Sequence, residues 1–146
     1  MSKSVKQKVA LVNQRNKELE GVKGLDPNFY CEGDVGKFIS LYLQSEVFAK
    51  KLQRYFRTDE NIKGKDELNI AALKAAIKRF RLDFDESHVS ELFKGGSGKQ
   101  NEKSARQLRN GYLHSLSVSD KNEILKKAES FVSKLKVFLS LRISAT

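Results

Sequence analysis

The sequence predicts an all-α fold, a bundle of four or five helices, on three observations. The chain of 146 residues holds one proline and nine glycines, so few positions force a helix to break and a turn-rich strand fold is disfavoured. Apolar residues recur at three- and four-residue spacing along most of the chain, which is the period of an amphipathic helix. The length suits one domain, residues 1–146, and is too short for two well-packed ones.

The elements follow in order. From about Ser4 to Lys23, Val5, Val9, Val12, Leu19 and Val22 recur at roughly helical spacing with Lys6, Lys8, Arg15 and Lys17 between them, which predicts a first helix. Gly24 to Gly33 contains the only proline and reads as a loop. Asp34 can cap a second, central helix over about Val35–Arg57, with Phe38, Tyr42, Leu52 and Phe56 turned to the core. After a polar linker, Thr58–Lys65, Asp66 is the expected cap of a third helix to about Arg81, whose stripe is Leu68, Ala72, Leu73, Ala76, Ile77 and Phe80. Leu82 to Phe93 holds a short helical turn, and Gly95-Gly96-Ser97-Gly98 is a flexible connector. A fourth helix spans about Asn101–Leu116. Asp120, with Glu123 three residues on, has the spacing of a capping box, and the last helix runs to about Leu141 along Ile124, Ala128, Phe131, Leu135 and Phe138.

Charge gives the first functional clue. The 28 Lys and Arg against 18 Asp and Glu leave a net charge of +10. That excess suits a polyanionic partner, because neutralising phosphates releases condensed counterions. No stretch reaches the roughly 18 apolar residues of a membrane span. The charged opening MSKSVKQKVA lacks a secretory core. These features point to the cytoplasm and to no membrane partner. Cys31 is the only cysteine, which leaves no intrachain disulfide and argues against a thiolate metal site.

Three patterns invite chemistry; two are better explained structurally, and on its bare residues the third also reads structurally, as an Arg satisfying helix carbonyls beside a buried His with one hydrogen bond. Gly95, Gly96 and Gly98 are not preceded by a predicted strand or followed by Gly-Lys-Ser/Thr, so they read as a mobile connector and not a phosphate loop. His88 follows Asp83, Asp85 and Glu86, but no second His stands at ligand spacing. Acidic residues in the first turn of a helix account for that cluster.

The fourth helix carries the third. At about 100° per residue, Ala105, Leu108, Tyr112 and Leu116 share one face, and Lys103, Gln107, Asn110 and His114 the opposite one. Asn110 and His114, four residues apart, can touch. Arg109 and His114, five apart, converge poorly on one helix. Two copies meeting across a symmetric dimer would gather two Arg, two Asn and two His in one cleft, so a homodimer is expected. These groups suit RNA cleavage. His exchanges protons near neutral pH, Arg holds a phosphate through two donors and stabilises transition-state charge, and Asn orients either. No metal and no other cofactor is required.

Arg109-Asn110 followed by three residues and His114, late in a basic all-helical domain, resembles the motif of the HEPN superfamily. The resemblance in helix order could cover nearly the whole chain, while about six residues carry the specific signal. It implies a dimeric domain with facing motif helices and, in many members, a metal-independent endoribonuclease of toxin–antitoxin, antiviral or CRISPR-associated systems. His114 would then transfer protons, Arg109 clamp phosphate and Asn110 orient, while Arg106 and Gln107 would contact neighbouring phosphates or bases. An antitoxin protein is a further implied partner. Some toxins of the family carry, two residues after the His, a Tyr that the antitoxin modifies; Leu116 stands there, so that chemistry is not expected. The competing readings are a non-catalytic module of the same fold binding RNA, nucleotide or a protein, and a helical adaptor for an acidic partner. The polar face of the motif helix has no stacking aromatics, which weakens a single-strand-binding platform.

Overall fold

A computed structural model describes residues 4–22, 33–96 and 98–144. Among them lie six α-helices, a 3₁₀ turn and no strand: α1 Val5–Val22, α2 Gly33–Glu60, α3 Ile70–Arg79, α4 Glu86–Phe93, α5 Ala105–Ser115 and α6 Val118–Leu139, with the turn at Gln100–Glu102. The all-helical expectation holds, with one helix more than the largest number expected. The stretch read as a short turn before Phe93 is a two-turn helix, α4, capped by Asp85. The loop from Gly24, with the proline and Cys31, lies outside the described residues, as does Ser97 of the glycine connector.

The long helix α2 is central because apolar groups emerge on several of its sides: Phe38, Ile39, Tyr42, Phe48, Ala49 and Leu52 are all fully buried. It lies along α6 and packs against α1, α3 and α5. Phe138 of α6 is an aromatic hub, with the rings of Phe48, Phe84 and Phe93 centred 5.1, 5.2 and 5.1 Å away. The polar fastenings of the helix α1 lie in its second half. Arg15 forks onto Asp59 through Nη1 and Nη2 at 2.8 and 2.7 Å, and Tyr55 donates its hydroxyl to Glu18 at 2.5 Å. The Asn16 amide pairs both ways with the backbone of Ile143, tying α1 to the chain beyond α6. Val5 and Val9, expected on the buried stripe, are exposed because α1 runs past the bundle there.

Several boundaries differ from expectation. Asp34 lies inside the first turn of α2, and α2 runs one turn longer, to Glu60. It ends on Asn61 in the left-handed conformation, φ 53°, with Ile62 N–H donating to Arg57 O and Asn61 N–H to Thr58 O, a Schellman turn. Asp66 does not cap α3; Asn69 does, accepting from Ala72 N–H at 3.0 Å. The buried amide of Gln53 selects that residue. It accepts from Asn69 N–H at 2.9 Å and donates to Glu67 O at 3.1 Å, which fixes where the helix starts. Asp120 does not cap α6 either. Ser117 does, and Asp120 is buried inside the first turn. The last helix stops at Leu139, and the fourth begins at Ala105 instead of Asn101.

Candidate functional site

Helix α5 is fixed at both ends. At its start Ser104 and Gln107 form a capping box: the Ser104 hydroxyl accepts from Gln107 N–H, and the Gln107 side chain accepts from Ser104 N–H at 2.8 Å. The same hydroxyl donates to Lys94 O at 2.5 Å. At its end Leu116 turns left-handed, φ 48°, with its N–H on Tyr112 O. In the middle, Gly111 sits against α6. A β-carbon there would lie 1.8 Å from Asp120 Oδ2, so glycine is what lets the Asp120 carboxylate rest on the motif helix. Asp120 in turn holds Lys103 Nζ at 2.8 Å.

The structure separates the residues that the sequence grouped. Arg109 is drawn to α2, where Nη2 donates to Glu46 Oε2 at 2.5 Å with both side chains 16% exposed. Its guanidinium carbon lies 5.1 Å from the centre of the Tyr42 ring. Its Nε is buried with no hydrogen-bond partner among the described residues. Asn110 is half-buried and His114 is exposed at the far end of the helix. No side-chain hydrogen bond joins any two of Arg109, Asn110 and His114.

Arg106 and Gln107, expected to reach substrate, turn toward the chain instead. Gln107 is buried, and its Nε2 donates to Gly95 O and Gly96 O at 3.1 and 3.2 Å. Arg106 Nη1 makes long contacts, 3.4 Å each, with Leu68 O and Phe93 O. The two side chains hold the connector between α4 and α5. The physical reason is the helix start: an N3 glutamine is consumed by the capping box, and an N2 arginine meets one carbonyl at the end of α4, Phe93 O, and one ahead of α3, Leu68 O.

Sequence reasoning missed Glu46, Tyr42 and the Asp120–Lys103 pair. A carboxylate within the apolar run of α2, four residues after Tyr42, was the available signal for the first two. Burial and the adjacent Glu46 carboxylate hold the Tyr42 hydroxyl well above its usual range, with Arg109 and Arg106 pulling the other way. Beside α4, Asp85 accepts from Ser87 N–H and hydroxyl at 2.9 and 2.8 Å. These bonds, the backbone one first, hold its carboxyl below the usual range. Capping thus explains the acidic cluster around His88, whose ring meets Phe84 edge-on. Among the described residues, no group of three or more His, Cys, Asp or Glu is placed to hold a metal ion, and no helix is long and apolar enough to cross a membrane.

No protein-family model, no curated protein and no solved structure matches the chain. The arrangement therefore speaks through its chemistry: an exposed imidazole at a helix end, an amide one turn before it, and an arginine anchored from behind.

Proposed function

We propose that the chain is a metal-independent endoribonuclease of HEPN type, working in the cytoplasm as a symmetric homodimer in a toxin–antitoxin or antiviral system. The observation that carries this reading is His114, a solvent-facing imidazole at the end of a helix whose Arg109 is held by Glu46. In the proposed reaction one His114 takes the proton of a ribose 2′-hydroxyl. The 2′-oxygen attacks phosphorus, and the 5′-oxygen leaves with a proton from the second copy's protonated His114, an imidazolium that returns to neutral imidazole. The products are a 2′,3′-cyclic phosphate and a 5′-hydroxyl. In this reading Arg109, fixed on Glu46 through Nη2, stabilises the developing phosphate charge, and Asn110 orients the imidazole or the phosphate.

One observation favours a second reading, a non-catalytic module of this fold that binds RNA, nucleotide or a protein. The Arg109–Glu46 pair neutralises the cation that the reaction needs. The deciding experiment incubates the native and His114→Ala proteins with total and transfer RNA in EDTA. Cleavage by the native protein alone, leaving cyclic-phosphate ends, is the expected outcome. A folded native dimer that leaves RNA intact would favour the binding module.

A further inference from the structure

The net charge is unevenly placed. Residues 50–81 hold ten of the 28 Lys and Arg but only four of the 18 Asp and Glu. Three of those four are paired, Asp59 by Arg15, Glu60 by Arg79 and Asp66 by Arg54. This stretch covers the second half of α2, the turn after it and α3. At the turn lies a hollow of about 420 Å³ whose lining includes Arg54, Arg57, Lys63 and Gly64 together with Ile62 and the carboxylate-bearing Asp66.

Arg57 is built into that hollow. Its Nη1 donates to Lys65 O, and its guanidinium approaches Gly64 closely, where a β-carbon would meet Nε at 3.0 Å and Cζ at 3.2 Å. A glycine at 64 therefore makes room for a guanidinium held in place before any ligand arrives, which lowers the ordering cost of binding. Arg54 meets Asp66 at 3.6 Å, but both side chains are more than half exposed. Such a pair is worth little, and a phosphate can displace the carboxylate. The carbonyl end of α2 opposes an anion, but the Schellman bonds to Arg57 O and Thr58 O satisfy two of its carbonyls.

The hollow also connects to the candidate site. Glu46, Lys50, Arg54 and Arg57 recur at four, four and three residues, on one face of α2. Glu46 holds Arg109 at one end and Lys50 at 3.6 Å beside it. Arg57 lies about 16 Å further along the helix, at 1.5 Å per residue. A strand whose phosphate sits at Arg109 can follow this ridge into the hollow.

We propose that the hollow at the end of α2, lined by Arg54, Arg57 and Lys63, is a second phosphate-binding site that grips single-stranded RNA along the strand from the cleaved bond. The proposal rests on RNA being the ligand of the first site. Contacts of this kind position a strand without reading its bases, so the site contributes affinity and register and not sequence preference.

The test measures binding of a fluorescein-labelled oligouridylate of twelve nucleotides, in EDTA and in the His114→Ala background so that the probe stays intact. Affinity is followed from low to moderate salt. Replacing Arg54, Arg57 and Lys63 together by Gln is expected to reduce the slope of log affinity against log salt by about 2, at roughly 0.7 per phosphate contact on a single strand. A charge-matched control, Lys37, Lys126 and Lys136 to Gln, should leave the slope within about 0.7 of its parent. Thermal melting checks that both triple variants fold. An unchanged slope in the first variant, an equal fall in the control, or no binding by the parent would each overturn the proposal. Cleavage is assayed separately with native His114. A protein that binds with the expected slope but never cuts would remove the nuclease reading and leave this site standing.

Discussion

At Gly111 a methyl group would fall 1.8 Å from Asp120 Oδ2, and Asp120 is 3% exposed and held by Lys103. Gly111→Ala is therefore expected to destabilise the fold by about 1–3 kcal/mol, although alanine is the better helix former at an open position. Denaturant unfolding reads the difference, and a stabilised variant would show that α5 and α6 do not approach as closely as described. Tyr42 makes the opposite case. Its hydroxyl is fully buried with no hydrogen-bond partner among the described residues, so Tyr42→Phe removes an unsatisfied group and keeps the ring under Arg109. The substitution should be neutral or stabilise by about 1 kcal/mol. Because the folded-state pKa of Tyr42 is raised, its contribution is intact below the unfolded value of about 10 and is lost as pH rises beyond it. Tyr42→Phe should thus flatten the alkaline fall in stability, leaving the part due to Tyr55, whose burial and bond to Glu18 raise it too. An alkaline limb steeper than native would contradict this.

Among the elements, α3 and α6 show what a cap assignment needs. Each has two candidate capping residues within one turn, Asp66 or Asn69 and Ser117 or Asp120. Local preference does not choose between them. Tertiary contacts do: Gln53 holds Asn69 N–H, while Lys103 and the gap at Gly111 draw Asp120 inward and leave Ser117 to accept from Asp120 N–H at 3.2 Å. Asn69→Ala should accordingly cost about 1 kcal/mol, and Asp66→Ala no more than about 0.5 kcal/mol, as for other surface positions. Thermal melts of the two proteins decide the matter, and equal losses would restore Asp66 as a partner of the helix start. The apolar period made the existence of α2, α3, α5 and α6 legible, since that signal is local. The helix α1 and a helical turn before Phe93 were legible too, but the full length of α4 and the exposure of the first half of α1 were not, because what covers a face is decided by the fold around it. The same limit applied to the site. The polar stripe ending in His114 could be read from residue spacing, whereas the pull of Glu46 on Arg109 depends on how α2 meets α5.

For the molecule as a whole, the decisive question is what lies against the corner between α5 and α6. Leu116 and Val118 are 71% and 70% exposed, and Leu125, on the same face of α6 as Val118, is 46% exposed. These apolar groups follow His114 directly in the chain, and Leu116 is doubly unfavourable where it stands. It exposes a large apolar side chain and holds a left-handed backbone, φ 48°, that costs a β-substituted residue about 1–2 kcal/mol. A residue that weakens the protomer beside a candidate site is well explained if a second copy covers it. That explanation gives effects of opposite sign for one substitution. Leu116→Asn keeps the turn with a residue that tolerates the left-handed region, so the dilute protomer should gain about 1 kcal/mol in unfolding free energy. It also removes apolar area from the proposed contact, so the dimer should dissociate at lower dilution and RNA cleavage should fall with it. Sedimentation at several concentrations and melting at high dilution separate the two effects. A native protein that stays monomeric while cutting RNA would show that one α5 suffices, and a variant that loses protomer stability would show that Leu116 supports its own fold and no second copy.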